Sequence, residues 1–398
     1  MLPGVNINFA QGALGTVTPS ADCVGGIIAT AAAVSDTFVL GNGYIIYKAD
    51  DLSALGVTKE NNPTLYKHVK EFYDIAGDGA ELWIMGLPAT AKPSDILDKE
   101  NAYAKKLIQL ANGRIRFIAV AYQPAQDYEA EIEDGLDSDV MTAALKGQQL
   151  ADWATDTLYA PLFVVIAGRG YAKANITALA DLTECAFNRV GIMIGDTVSG
   201  SEGAAVGLLA GRIAACAVHR HIGRVKDGPL AVEKIYIDDE DPAMANVETL
   251  YNKGYLTFRT YVGKSGYYFI DDNLATGFSD DYRSIARRRT IDKAYRIIYR
   301  TMLDEVNGEV PVTNEGYITP SYAKALECEV IAAVANDMTA NGELGTDPTD
   351  PSDKGVKCYI NPEQNILATS RINVSAKVKP YGYAKYIDVE LGFLVENE

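Results

Sequence analysis

Apolar and polar positions alternate with a period of two at both ends of this chain and gather into longer apolar blocks in the middle. Near the start, Val5, Ile7 and Phe9 point one way and Asn6 and Asn8 the other, which predicts a lone strand. Near the end there are two further alternating runs. Ile372, Val374, Ala376 and Val378 share one face, and Ile387, Val389, Leu391 and Phe393 share another, with Asp388 and Glu390 opposite. A hairpin can pair with itself. A lone terminal strand needs a host sheet, in its own chain or in a neighbour, and a neighbour would make this an assembly protein.

Between the ends, the apolar runs 24–30, 43–47, 81–86, 114–122, 161–167 and 189–195 read as strands. Segment 62–73 reads as a helix, with Pro63 in its first turn and Leu65, Val69 and Phe72 as its apolar stripe. Helices are also expected over 139–158, 176–187 and 203–218. Near-continuous apolar strands separated by helices predict a parallel sheet covered on both faces. A different region follows, with strands at 234–238, 254–261 and 266–270, helices at 281–305 and 321–340, and an acidic Pro/Gly-rich loop over 341–355. The expected fold class is α/β and α+β, multidomain. Residues 1–23 form an N-terminal arm packing with the C-terminal domain, 24–265 an α/β sandwich-type part with a division near 95–110 left open, and 266–398 a C-terminal α+β domain ending in the terminal strand hairpin.

Charge and composition narrow the function classes. The chain has 398 residues and a formal net charge of −17, which argues against a nucleic-acid binder, since that needs a basic surface to displace counterions. No apolar run approaches the roughly 20 residues that span a bilayer, so no membrane insertion is expected. The start lacks a basic-then-apolar leader, which points to a chain made and used in the cytoplasm, or released only by lysis. Cys23, Cys185, Cys216, Cys328 and Cys358 are scattered without metal or redox spacing and read as free thiols in a reducing compartment. Twenty-four tyrosines against three histidines suit interfaces better than acid–base chemistry.

Candidate chemistry is thin. Gly168-Arg169-Gly170 follows a strand and could cradle a phosphate, with Gly195 at the end of the next one. Lys173 stands where the third glycine of a dinucleotide motif belongs, and no Walker pattern occurs. A nucleotide-binding α/β enzyme centred on Gly168 and Gly195 is the alternative reading. His219 and His221, two apart, could share a metal, but no third ligand stands nearby and the segment reads as a solvated or interface loop. The acidic run 238–241 lacks EF-hand spacing, and Ser199-Gly200-Ser201 is no nucleophile elbow. No catalytic, cofactor or metal residue is assigned.

Segment 283–300 differs from the rest. At about 100° per residue, Arg289, Lys293, Arg296 and Arg300 fall within a helical stripe of roughly 60°. Ile291, Ala294, Tyr295, Ile298 and Met302 lie opposite. The pattern predicts a narrow cationic ridge, either solvated or docked on an acidic partner.

With these segments in order, the chain resembles the sheath subunit of contractile phage tails and related contractile injection systems, of the prophage type. The likeness runs nearly the whole length. Pro3-Gly4-Val5 is similar to the family's opening strand. The glycine-rich strand at 24–30, the Asp-Leu element within 44–55, the helix ending in glycine and the strand bearing Trp83 follow in the family's order. So do the small-residue helix at 203–215, the strand at 254, the stretch 266–276 and the run 287–293. Asn361-Pro362-Glu363-Gln364-Asn365 and the strands around Lys379-Pro380 resemble the closing hairpin. The tryptophan common before the Arg-Thr element is replaced by Tyr267, Tyr268 and Phe269, and there is little sequence for decorative domains.

The resemblance implies a mechanical, non-enzymatic role without a cofactor. Hexameric rings would stack helically around an inner tail tube, between baseplate and tail-terminator proteins, in the bacterial cytoplasm during assembly and then in a virion tail or released particle. Val5, Ile7, Phe9, Ile372, Val374, Val378, Ile387, Val389 and Leu391 would form inter-subunit strands, with Arg289, Lys293, Arg296 and Arg300 facing the tube. Residues 266–398 would be the sheath core domain.

Overall fold

The computed structural model describes residues 21–393, so the expected N-terminal strand with Val5, Ile7 and Phe9 lies outside the described residues. The longest apolar runs form one six-stranded sheet. Its strands are β1 (Gly25–Thr30), β2 (Gly43–Ile46), β3 (Leu82–Leu87), β4 (Phe117–Ala121), β5 (Phe163–Ala167) and β6 (Val190–Met193). The spatial order is β2-β3-β1-β4-β5-β6, with only β2 antiparallel to its neighbour. β3, β4 and β6 are buried at every position, as a sheet covered on both faces demands.

Two helices cover one face. Helix α1 (Pro63–Ala76) turns Leu65, Val69 and Phe72 into the core, and α3 (Val206–Ala215) packs on it. Their backbones approach closely because α3 carries Gly207 and Gly211. A Cβ on Gly207 would lie 2.6 Å from the His68 Cα, and one on Gly211 2.5 Å from the Phe72 carbonyl oxygen. The Gly207 amide also donates to His68 Nδ1 at 3.2 Å, which fixes the register of the pair. The other face is covered by α2 (Asp139–Leu158) with the short helices Pro93–Leu97 and Ala104–Leu110. Gly147 of α2 sits over Val164 and Val190.

Beyond the sheet, β7 (Phe258–Tyr261) and β8 (Lys264–Phe269) form a hairpin. Helix α4 (Ile285–Leu303) starts at Ser284, whose Oγ accepts from the Arg287 amide. Helix α5 (Pro320–Val334) opens on its proline and passes into a π-turn at Ala335–Thr339. Strands β9 (Val356–Ile360) and β10 (Val374–Val378) pair antiparallel, from Val356 opposite Val378 to Ile360 opposite Val374. The result is a mixed α/β and α+β molecule with separate cores, a large one around the sheet and small ones between α4, α5 and the β9–β10 ladder.

Three expectations need correcting. Segment 176–187 is not helical; it holds a short turn at Leu182–Glu184, capped by the Asp181 carboxylate on the Thr183 amide, then the two-residue strand Ala186–Phe187. Asp and Thr side chains competing for local amides explain the loss of the helix. Segment 234–238 is no strand; Tyr236 and Ile237 make only isolated bridges, to Asp196 and Glu240. The two C-terminal runs do not pair with each other: 374–378 pairs with β9, and the run from Ile387 onward has no secondary structure among the described residues.

Candidate functional site

The two alternating C-terminal runs meet different fates. Val374 and Val378 lie in β10, half-buried, and Val378 packs on the small core that includes Ala294 and Val334. Ile372 and Val374 pack on the core around Ile318 and Leu326. These three side chains are therefore in use within the chain. The second run is bare: Ile387 is 78% exposed, Val389 78%, Leu391 94% and Phe393 100%. Apolar surface left in water forgoes about 25 cal/mol per Å² of burial, so these four side chains are costly exposed apolar surface. Among the described residues the β9–β10 ladder has two strands, each paired along one edge. Such a ladder is a receptive template for an added strand.

The expected cationic ridge is corrected for three of its four residues. Arg289 is 3% exposed and donates to the main-chain oxygens of Cys216 at 2.9 Å and of Ala217 and Asp22 at 3.4 Å. Lys293 Nζ lies 2.7 Å from Asp22 Oδ2 and 2.7 Å from Glu343 Oε2. Arg296 Nη2 bonds Asp22 Oδ1 at 2.6 Å. Only Arg300 faces solvent, with its side chain 69% exposed and a 3.5 Å contact to Asp337. Helical spacing placed all four on one stripe, but that stripe faces the chain leading in from the N-terminus and the turn after α5. Burial pushes the Asp22 carboxyl upward, yet Lys293 and Arg296 outweigh it and hold the group at about 2. Burial lowers Lys293, and Asp22 with Glu343 more than restores it. Burial also pushes Glu343 up and Arg296 down. Arg116, beside this cluster, bonds only carbonyl oxygens among the described residues, of Ala21 and Gly113; burial and the Arg296 charge depress it to about 9.

The strand-end glycines answer to packing. A Cβ on Gly168 would meet Ile194 at 2.8 Å, and one on Gly195 would meet Phe258 at 2.9 Å with φ at +112°. The amides a phosphate would need are already spent: Gly168 donates to the Met193 carbonyl, Gly170 to that of Glu202 and Gly203 to Ser201 Oγ. A cavity of about 410 Å³ lies here. Its cations are engaged, Lys67 with Asp196 and Arg169 with Glu202 at 2.5 Å.

The sequence reading missed one cluster. His221 Nε2 lies 2.8 Å from Asp271 Oδ1 and 3.2 Å from Asp272 Oδ1. Lys385 Nζ reaches both oxygens of Asp271, at 2.7 and 2.5 Å. The partners of His221 stand 50 residues downstream, so no local spacing announced them. Burial disfavours the charged imidazole, but Asp272 and Asp271 outweigh it and raise His221 above its ordinary value. The three groups are close enough to hold a cation. However, His221 Nδ1 accepts the Gly223 N–H at 3.0 Å, which leaves the ring proton on Nε2, the nitrogen facing both carboxylates.

No helix among the described residues is long and apolar enough to cross a membrane. No curated protein matches the sequence. A chain in the cryo-EM structure of the anti-feeding prophage baseplate matches with a TM-score of 0.63 at 14% identity, over 99% of each chain. The contracted helical sheath of the same prophage matches at 0.60 and 15% identity, over 98% of this chain and 99% of that one. A crystal structure of a sheath tail protein from Listeria innocua matches at 0.53 and 12% identity, over 89% and 91%. The fold is therefore that of contractile tail sheath proteins. Two family models cover the sequence, the DUF2586 N-terminal domain over residues 2–273 and the DUF2586 C-terminal domain over 281–398. The chain belongs to the DUF2586 family and carries both of its domains in order.

Proposed function

We propose that this chain is the sheath subunit of a contractile tail or injection system. It polymerises as stacked six-fold rings around an inner tube and shortens to drive that tube through a target envelope. Exchange of its terminal segments holds the rings together. The observation that carries this reading is the alternating apolar face at Ile387, Val389, Leu391 and Phe393, exposed on a chain whose whole length has a sheath-type fold. An extended segment with one apolar face adds to the edge of another sheet through main-chain hydrogen bonds and side-chain pockets, and the β9–β10 ladder offers such an edge. The energy of contraction would then lie in unmade subunit contacts, with no cofactor or nucleotide consumed.

Of the inter-subunit residues proposed from sequence, Ile387, Val389 and Leu391 are available in the isolated chain. Ile372, Val374 and Val378 anchor the root of the arm on their own body. The tube contact narrows to Arg300, the exposed end of the basic helix; exposed ionic contacts of this kind are weak and readily broken as a sheath moves. Baseplate and terminator proteins would cap the polymer, which would form in the bacterial cytoplasm and end in a tail or released particle. The test is assembly itself. Purified protein should form rings or tubes as concentration rises. A chain lacking residues 1–15 should keep its unfolding transition and stay monomeric; normal polymers from that truncation would end the strand-exchange proposal.

A further inference from the structure

Segment 381–386 reads Tyr-Gly-Tyr-Ala-Lys-Tyr and has no helix or strand of its own. Every second side chain nevertheless meets the body. The Tyr381 ring lies 5.2 Å from that of His219, and the Tyr383 ring 5.5 Å from that of His221. Tyr383 also donates its hydroxyl hydrogen to the His219 carbonyl at 2.5 Å. Lys385 reaches Asp271, whose side chain is 4% exposed. At the end of the run, the hydroxyls of Tyr386 and Tyr251 meet at 2.9 Å. Contacts at i, i+2 and i+4 are those of one face of an extended peptide read by pockets.

The receiving surface is built for a cation. Asp272 is fully buried; its Oδ2 accepts the Ala286 amide at 3.0 Å, while its Oδ1 accepts no hydrogen bond. The His221 ring proton goes to Asp271, which Lys385 also reaches, while burial raises the neighbouring Asp272 above the usual carboxylate range. Burial alone would raise Asp271, yet His221 and Lys385 hold it well below the usual carboxylate range. Packing, by contrast, is loose: a cleft of about 1010 Å³ remains between the segment and the body. A strong ionic anchor with poor packing around it describes a ligand that docks, not a core element.

We infer that the surface formed by the His219–Gly223 turn, Tyr251 and Asp271 is a recognition site for an extended peptide of the form Tyr-x-Tyr-x-Lys, filled in the single chain by its own residues 381–386 and open to the same segment of a second copy. Docking of a second copy's segment rests on the segment-exchange reading above, but the site itself lies on the N-terminal domain and its test needs no polymer, so the two can fail separately.

The test uses full-length Lys385→Glu protein, in which repulsion from Asp271 vacates the site, and a fluorescent peptide of residues 379–388. The peptide should bind this variant saturably and the wild-type chain at least about tenfold more weakly, because there the site is occupied. A peptide carrying Lys385→Glu should lose at least about tenfold in affinity for the variant; this change sits on the ligand and leaves folding untouched. Absence of binding to the variant would overturn the inference. So would equal binding to wild type and variant, or equal binding of both peptides.

Discussion

Arg296 and Asp22 stand 274 residues apart in sequence and share a hydrogen bond of 2.6 Å. With Lys293 at 2.7 Å from the same carboxylate, the basic helix α4 grips the point where the N-terminal segment enters the described fold. The helix that reads as a docking ridge in sequence in fact clamps Asp22 through Lys293 and Arg296.

That clamp has a pH signature. Asp22 titrates at about 2 in the folded chain against an ordinary 3.8. Its folded value is depressed, so its contribution is fully present above the unfolded value and is lost as pH falls through the folded one. A shift of this size corresponds to about 2 kcal/mol. Asp22→Asn should remove a comparable amount at pH 7 and flatten the stability profile between pH 5 and pH 2, read by denaturant unfolding across that range. An unchanged profile would show that the ion pairs carry no net stability.

Charge reversal along α4 should split by position. Arg289→Glu places a carboxylate among the carbonyl oxygens of Cys216, Ala217 and Asp22 and should cost about 3 kcal/mol or more. Arg300→Glu should stay within about 0.5 kcal/mol of the parent and lower only association with the tube. Thermal unfolding with tube co-sedimentation separates the two effects.

The α1–α3 contact depends on small residues. Gly207→Ala sets a methyl against the His68 backbone and should destabilise by about 1–3 kcal/mol. Gly203→Ala, whose nearest neighbour would be Ser201 Oγ at 3.5 Å, is the matched control and should be nearly neutral. Equal effects in calorimetry would refute the close-approach argument.

These elements show what the sequence makes legible. Apolar blocks such as 161–167 and 189–195 announced the buried strands Phe163–Ala167 and Val190–Met193, because a strand covered on both faces needs apolar residues throughout. Helix α2 begins and ends where its pattern does. Segment 176–187 misled, since local capping by Asp181 outcompetes a weak helical pattern. Helical periodicity showed that Arg289, Lys293 and Arg296 share a face but not which face is buried; that depends on Asp22 and Glu343, distant in sequence. The His221–Asp271–Lys385 cluster was hidden for the same reason, while the exposed run at 387–393 was visible in the alternation itself.

The arm should be separable from the fold. Val389→Asp together with Leu391→Asp changes side chains that are 78% and 94% exposed, so unfolding should shift by less than about 0.5 kcal/mol while assembly fails. A large loss of monomer stability would instead place these residues in a core of their own chain.

The most direct test is electron microscopy of concentrated full-length protein beside the Val389→Asp, Leu391→Asp variant. Helical tubes or stacked six-fold rings with a hollow lumen from the parent, and dispersed subunits from the variant, are the predicted result. A parent that stays monomeric at every concentration, or a variant that forms the same tubes, would contradict it.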